Sequence, residues 1–382
     1  MARGSARSPN YTNDQIGGEL IKKSVAALKA YQAEQPLAAI KDQYQLETLA
    51  RLSANESVYG PTPKVKEALA AVTFDRLNYY PDGSAQKLRQ AVAQLNQVDP
   101  KMLVFGVGAD ELIQLLTRLA LEPGQNIIVP APTFGEYTIH AQIEQAETKS
   151  VAIDASTGHV DFEGILAAVD DQTSMVWLAN PNNPTGVLES AADIQGLLQQ
   201  LPESVYLVVD EAYIDFADTS DNTVVPLLAD YPNLIILRTL SKAYGLANLR
   251  IGYGMMNAVL AQKLNAVRLP YNLSDFQIEA GTAAVLDQDY LQKTVAKVQD
   301  ERNKFEDFLR ENQFEFYPSQ TNFLWVQVGD AKRYGQALLK EGLQISQRLS
   351  PSWVRITLGQ PADNERMRQL LVKIREDSTS NV

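Results

Sequence analysis

In the stretch LIILRTLSKAYGLANLR, residues 234–250, an apolar run is followed by Lys242, which stands between Ser241 and Arg250. Leu234–Leu237 shows no polar alternation, so it reads as a short strand buried on both faces. The residues after it then lie at the strand's carboxyl end, where open α/β sheets bind ligands. A lone lysine is ordinarily a solvated surface charge. At the end of a buried strand, in apolar surroundings, it can instead attack carbonyls. Ser241 and Arg250 both suit a phosphate.

The same pattern recurs on the amino-terminal side. Met102–Phe105 (MLVF) is followed by a glycine turn and the helical pattern DELIQLLTRLAL. Asn126–Pro130 (NIIVP) leads through a Pro-rich loop to a helix expected from Tyr137 to Glu147. Met175–Ala179 (MVWLA) and Val205–Val209 (VYLVV) are further buried runs. Apolar runs between amphipathic helices predict an α/β fold, a mostly parallel sheet sandwiched by helices. The tail differs. Asp289–Asn312 is a charged helical pattern, Thr321–Val328 alternates like a half-buried strand, Trp353–Thr357 reads as a strand and Ala362–Glu376 as a final helix. That order predicts a smaller α+β domain. The expected division is an N-terminal arm with part of the small domain over 1–55, a large domain over 56–265 and the small domain over 266–382. The polar, helical segment up to about Arg51 is expected to pack on the small domain.

Three other strand ends carry distinctive chemistry. Gly106–Glu111 (GVGADE) opens a helix whose first N–H groups can hold a phosphate; alone it is equally a tight strand-to-helix turn. Asn180–Gly186 (NPNNPTG) interleaves prolines and asparagines, which can fix one Asn side chain in a site or simply shape a loop. Asp210 ends the VYLVV run. A carboxylate there is costly unless paired with a cation, although an acid at that place can also cap a helix.

Taken in order, a phosphate-binding turn, a fixed Asn, a strand-end Asp and a Lys between Ser and Arg resemble the class I/II aminotransferases of pyridoxal-phosphate (PLP) fold type I. The histidinol-phosphate aminotransferase group is the most similar. The resemblance extends over Leu52–Glu56 (LSANE), Tyr59–Pro61, Tyr80–Gly83 (YPDG), Pro132–Gly135 (PTFG) and Arg355–Gly359 (RITLG). It implies a seven-stranded sheet in the large domain and pyridoxal 5'-phosphate as cofactor. It implies Lys242 as the catalytic lysine in Schiff-base linkage to PLP and Asp210 as partner of the pyridine nitrogen. Asn183 and Tyr213 would face the phenolic oxygen, with Phe134 stacked on the ring. Ser241, Arg250 and the N–H groups of Ala109 and Asp110 would hold the phosphate. Tyr80 would reach that phosphate from a partner subunit, so a homodimer with shared sites is implied. Arg355 would clamp a substrate carboxylate, with Asn55 and Tyr59 nearby. The group also carries an arginine shortly before the final strand that helps bind the substrate phosphate. Ser346 falls about there, and Arg348 is the candidate substitute.

Composition narrows the alternatives. The 382 residues are 45% hydrophobic and 21% charged, as in water-soluble globular chains. With no cysteine and two histidines, His140 and His159, thiolate chemistry is excluded and a metal site is not expected. A net charge of -12 disfavours a nucleic-acid partner. No run is long enough for a membrane span, and MARGSARSPNYTND has no apolar run behind its basic residues, so a cytoplasmic location is expected. The expected partners are an amino donor and a 2-oxo acid. The leading function is transfer between histidinol phosphate and 2-oxoglutarate, with Arg355 serving the glutamate half-reaction. Its rivals are an aromatic amino acid aminotransferase, a threonine-phosphate decarboxylase-like lyase and a PLP-binding regulator.

Overall fold

The computed structural model describes residues 21–26, 28, 34–219 and 222–379. The leader reading of Met1–Asp14 lies outside the described residues. The strands are β1 Ala50–Leu52, β2 Leu103–Val107, β3 Asn126–Ala131, β4 Glu147–Ala152, β5 Thr173–Ala179, β6 Tyr206–Asp210, β7 Leu234–Thr239, β8 Ile251–Met256, β9 Phe323–Gln327, β10 Leu343–Ile345 and β11 Trp353–Thr357.

Seven of them form one sheet in the order β2-β8-β7-β6-β5-β3-β4. β8 runs antiparallel to both of its neighbours, and the other pairs are parallel. Helices cover both faces, and the apolar core divides accordingly. One cluster joins Leu207, Val209 and Ile236 to the long helix Gln288–Glu311 and the small lobe. The other lies beneath the helices Gly108–Ala120 and Glu136–Ile143, around Trp177, Val208 and Ile235. This is the two-sided burial that unbroken Val/Ile/Leu runs require.

Three strands depart from the apolar-run pattern. β4 (ETKSVA) is an edge strand with half-buried and exposed side chains, so it has no apolar signature. The helix expected to reach Glu147 ends at Ile143, and residue 147 already belongs to β4. β8 (IGYGMM) is fully buried but glycine-rich, because a Cβ on Gly252 would lie 2.5 Å from the Ala109 nitrogen. β10 is only three residues long.

The small lobe holds two short sheets, parallel β1–β10 and antiparallel β9–β11. An antiparallel bridge between Ser346 and Arg355 joins them into one layer. β9, expected to be half-buried, is buried along nearly all its length. The N-terminal segment divides between lobes. Ala50–Leu52 pairs with β10, whereas Ser24 donates to the Ile143 carbonyl of the large lobe at 3.3 Å. The helix Asp275–Val285 packs on the helices Pro63–Ala71 and Gln86–Asn96. No helix among the described residues is long and apolar enough to cross a membrane.

Candidate active site

The carboxyl ends of β5, β6 and β7 and the start of the helix Gly108–Ala120 open on one cavity. Its wall contains Ala109, Asp110, Phe134, Asn183, Asp210, Tyr213, Ser241, Lys242 and Arg250. Residues expected from separate loops therefore meet in one place, because a parallel sheet puts all its carboxyl ends on one edge.

At the floor, Asp210 is 5% exposed. One carboxylate oxygen accepts the Tyr137 hydroxyl at 2.8 Å, and the other accepts the Ala212 N–H at 3.1 Å. Burial still pushes its pKa up to about 6, against these two hydrogen bonds. Tyr137 is fixed in turn by stacking on Trp177, with centroids 4.8 Å apart, and Phe134 meets it edge-on at 5.6 Å. Sequence reasoning missed Tyr137. The available signal was its place in the first turn of the helix Glu136–Ile143, just after the loop that carries Phe134.

At the opposite end the helix Gly108–Ala120 begins without a capping side chain; the Gly108 N–H donates to the Arg250 carbonyl at 3.0 Å, which leaves those of Ala109 and Asp110, on the cavity wall, for a ligand. Arg250 bends round to this point. Its guanidinium donates to Asp110 at 2.8 Å and to the Ser241 hydroxyl at 3.5 Å. Thr239, also missed from sequence, donates to the Ser241 hydroxyl at 3.0 Å. Gly108 has φ +79°, and a Cβ there would collide with the Arg250 guanidinium.

Between the two ends, Lys242 Nζ donates to the Ala54 carbonyl at 3.2 Å and lies 5.7 Å from the centre of the Tyr213 ring. The Tyr213 hydroxyl accepts from the Asn55 side chain at 2.9 Å. Beside it, Arg355 donates to the Asn183 side-chain oxygen at 2.6 Å and to the Ser53 carbonyl at 2.7 Å. The guanidinium lies over Phe323, 5.4 Å from the ring centre, and Phe323 packs edge-on against Tyr213. Asn182 is held by Pro132 and Thr185 and Asn180 by Glu189, which leaves Asn183 as the asparagine of that loop that faces the cavity.

Five predicted residues lie outside the cavity wall: Arg355 and Asn55 reach it through Asn183 and Tyr213, and the other three lie farther off. Tyr80 is 80% exposed and stacks on Tyr271 at 4.6 Å. Tyr59 turns its ring to Lys297 of the long helix, 5.1 Å away. Arg348 is exposed on the turn after β10.

A family profile for aminotransferase class I and II matches residues 47–374. The chain belongs to that family. It is 61% identical to a histidinol-phosphate aminotransferase of Leuconostoc mesenteroides, over 92% of this chain and 99% of that protein. A counterpart from Limosilactobacillus fermentum is 45% identical over 92% and 98%. Among solved structures, a histidinol-phosphate aminotransferase from Sinorhizobium meliloti in complex with pyridoxal-5'-phosphate superposes with TM-score 0.84 at 29% identity. That match covers 94% of this chain and 98% of that one. An L-threonine-O-3-phosphate decarboxylase from Porphyromonas gingivalis, 24% identical with TM-score 0.74 over 86% and 100%, shares the fold.

The family is one of transaminases, acting on an amino donor and a 2-oxo acid, and its cofactor is pyridoxal 5'-phosphate. The residues here fit that group. Asp210 is a buried acid with no salt-bridge partner among the described residues, which suits a protonated ring nitrogen. Open helix N–H groups, Ser241 and Arg250 form an anion cradle, kept clear by Gly108 and Gly252. A lysine lies between acid and cradle, beside an aromatic wall.

Proposed function

We propose that this enzyme moves an amino group between histidinol phosphate and 2-oxoglutarate. The observation that carries the substrate is the 61% identity over 92% of the chain to a protein of that activity. Pyridoxal phosphate, when bound, supplies an aldehyde that takes up the amino group and a ring that accepts electrons from the substrate. Lys242 Nζ is its covalent anchor. The same nitrogen would take the substrate's Cα proton and later return one, as base and then acid. Asp210, held by Tyr137 and Ala212, stays ionised against the ring nitrogen. Asn183 and Tyr213, on the cavity wall, would donate to the phenolic oxygen, and Phe134 would cover the ring. Ser241, Arg250 and the N–H groups of Ala109 and Asp110 bind the phosphate. Arg355 binds the carboxylate of glutamate and 2-oxoglutarate through a two-pronged contact.

We also propose that a second copy completes the site with its Tyr80. Phe74, Leu77, Tyr79, Tyr80, Leu269 and Tyr271 are large apolar side chains left exposed. The Tyr80–Tyr271 stack joins the two segments that carry them. An apolar surface of this kind calls for a partner, and sedimentation velocity on the cofactor-loaded protein should return a dimer.

The substrate is tested by mixing loaded enzyme with single amino donors and following the cofactor's visible absorbance. Rapid loss with histidinol phosphate and little with phenylalanine is expected. Conversion by phenylalanine alone would refute the substrate and favour an aromatic donor. Carbon dioxide release without need of an oxo acid would point to a lyase.

A further inference from the structure

We infer that Arg302 is a positioning residue: it sets the spacing between the cofactor side and the carboxylate side of the site without touching either ligand. The inference rests on the reading of Arg355 as the carboxylate ligand. Arg302 lies within the helix Gln288–Glu311 and is 1% exposed. A buried guanidinium is costly unless its donors are satisfied. Here they are spent on three carriers of the site.

One Arg302 nitrogen donates to the Phe216 carbonyl at 2.9 Å and to the Thr321 carbonyl at 3.3 Å; the other pairs with Asp218. Phe216 ends the short turn that begins directly after Tyr213. Thr321 leads into β9, whose Phe323 meets the Tyr213 ring edge at 5.1 Å and underlies Arg355. β9 also pairs with the strand of Arg355, in the register Trp325 to Arg355. The third carrier is reached through Gln320. Its side chain exchanges hydrogen bonds with Asp218 at 2.7 and 2.8 Å, and its N–H donates to the Gly186 carbonyl at 2.8 Å. Gly186 closes the loop that holds Asn183 against Arg355.

The same helix grips the β9 approach a second time. Glu306, one turn beyond Arg302, accepts the Ser319 N–H at 2.9 Å. Arg302 thus takes a carbonyl and Glu306 an amide of one segment, from i and i+4 positions on a single helix face. The packing leaves no slack, since a Cβ on Gly186 would lie 2.5 Å from the Ser319 hydroxyl. A close-packed interior transmits such a displacement rather than absorbing it. Loosening the node should therefore move Asn183 and Phe323 relative to Arg355.

The test compares Arg302→Met, Arg302→Lys and Asp218→Ala in the loaded enzyme, with Arg355→Lys alongside. A misplacement of about 1 Å in a binding geometry costs on the order of 10²-fold. For Arg302→Met we expect a ~10–100-fold loss of kcat/KM with glutamate and 2-oxoglutarate, mainly in KM. The content of bound cofactor should be unchanged. Arg302→Lys should recover part of the loss, because an ammonium can still donate to carbonyls. Asp218 is half exposed, so Asp218→Ala should fold and raise KM in the same direction. If Arg302→Met melts earlier but keeps its KM per loaded site within about twofold, the residue serves stability alone and the inference fails. Should Arg302→Met not fold, an unchanged KM in Asp218→Ala overturns it equally. If Arg355→Lys leaves the glutamate KM untouched, the carboxylate reading falls, and this inference with it. If Arg355→Lys raises KM while the Arg302 and Asp218 variants do not, only the role of Arg302 is refuted.

Discussion

Asp210 should make the cofactor-free enzyme unstable towards neutral pH. In the fold its carboxyl is shifted from 3.8 to about 6, chiefly by burial. A rise of that size corresponds to ~3 kcal/mol between the two protonation states. The sign follows from linkage: the folded state favours the neutral acid, so the stabilisation is complete below about pH 4 and is lost as pH rises through about 6. A ring cation beside Asp210 offsets the cost of burying its charge, so binding of the cofactor should abolish the effect. The assay is urea denaturation of cofactor-free wild type and Asp210→Asn between pH 4 and 7.5. Asp215, Glu136 and Glu306 are also raised by burial, and they titrate in both proteins, so the difference between the two curves isolates Asp210. Wild type should lose up to about 3 kcal/mol relative to Asp210→Asn over this range, and the loaded proteins should not diverge in this way. A pH-independent difference in the cofactor-free pair would show that Asp210 does not carry a buried charge there.

Three further outcomes are expected. Lys242→Ala should lose the cofactor's visible absorbance on dialysis and all detectable transamination; a retained spectrum would remove Lys242 as the anchor. Tyr137→Phe keeps the stack on Trp177 but removes a hydrogen bond that lowers the Asp210 pKa, so in the cofactor-free protein the fall in stability should move to higher pH, and an unmoved fall would refute that coupling. Arg355→Lys should raise the KM for 2-oxoglutarate about 10–100-fold, the equivalent of ~1.5–3 kcal/mol for a charged hydrogen-bonded contact. An unchanged KM would mean that the carboxylate binds elsewhere.

Much of the fold was legible because buried parallel strands need unbroken apolar runs. Leu234–Leu237 and Met175–Ala179 lie within the strands β7 and β5, and Trp353–Thr357 matches β11 end to end. The strands that escaped notice had other constraints. β4 borders solvent and needs little apolar surface, and β8 gives up side-chain volume so that the Gly108–Ala120 helix can approach it. Residues bearing unusual chemistry at strand ends, such as Asp210 and Lys242, were visible for the same reason: Asp210 directly follows, and Lys242 comes shortly after, a run that sequence alone could place.

From Lys242 outward, the sequence by itself determined the layered architecture and which residues follow the buried strands, since local periodicity carries that information; the cofactor class came from the resemblance of its motifs to a known family. Tertiary structure decided what lies next to what. It put Tyr137 under Asp210, turned Tyr59 towards the long helix, left Arg348 in solvent and drove Arg302 into the junction of three distant segments. Those contacts join residues tens to hundreds of positions apart. Their directions follow from close packing of whole elements, which no local pattern encodes.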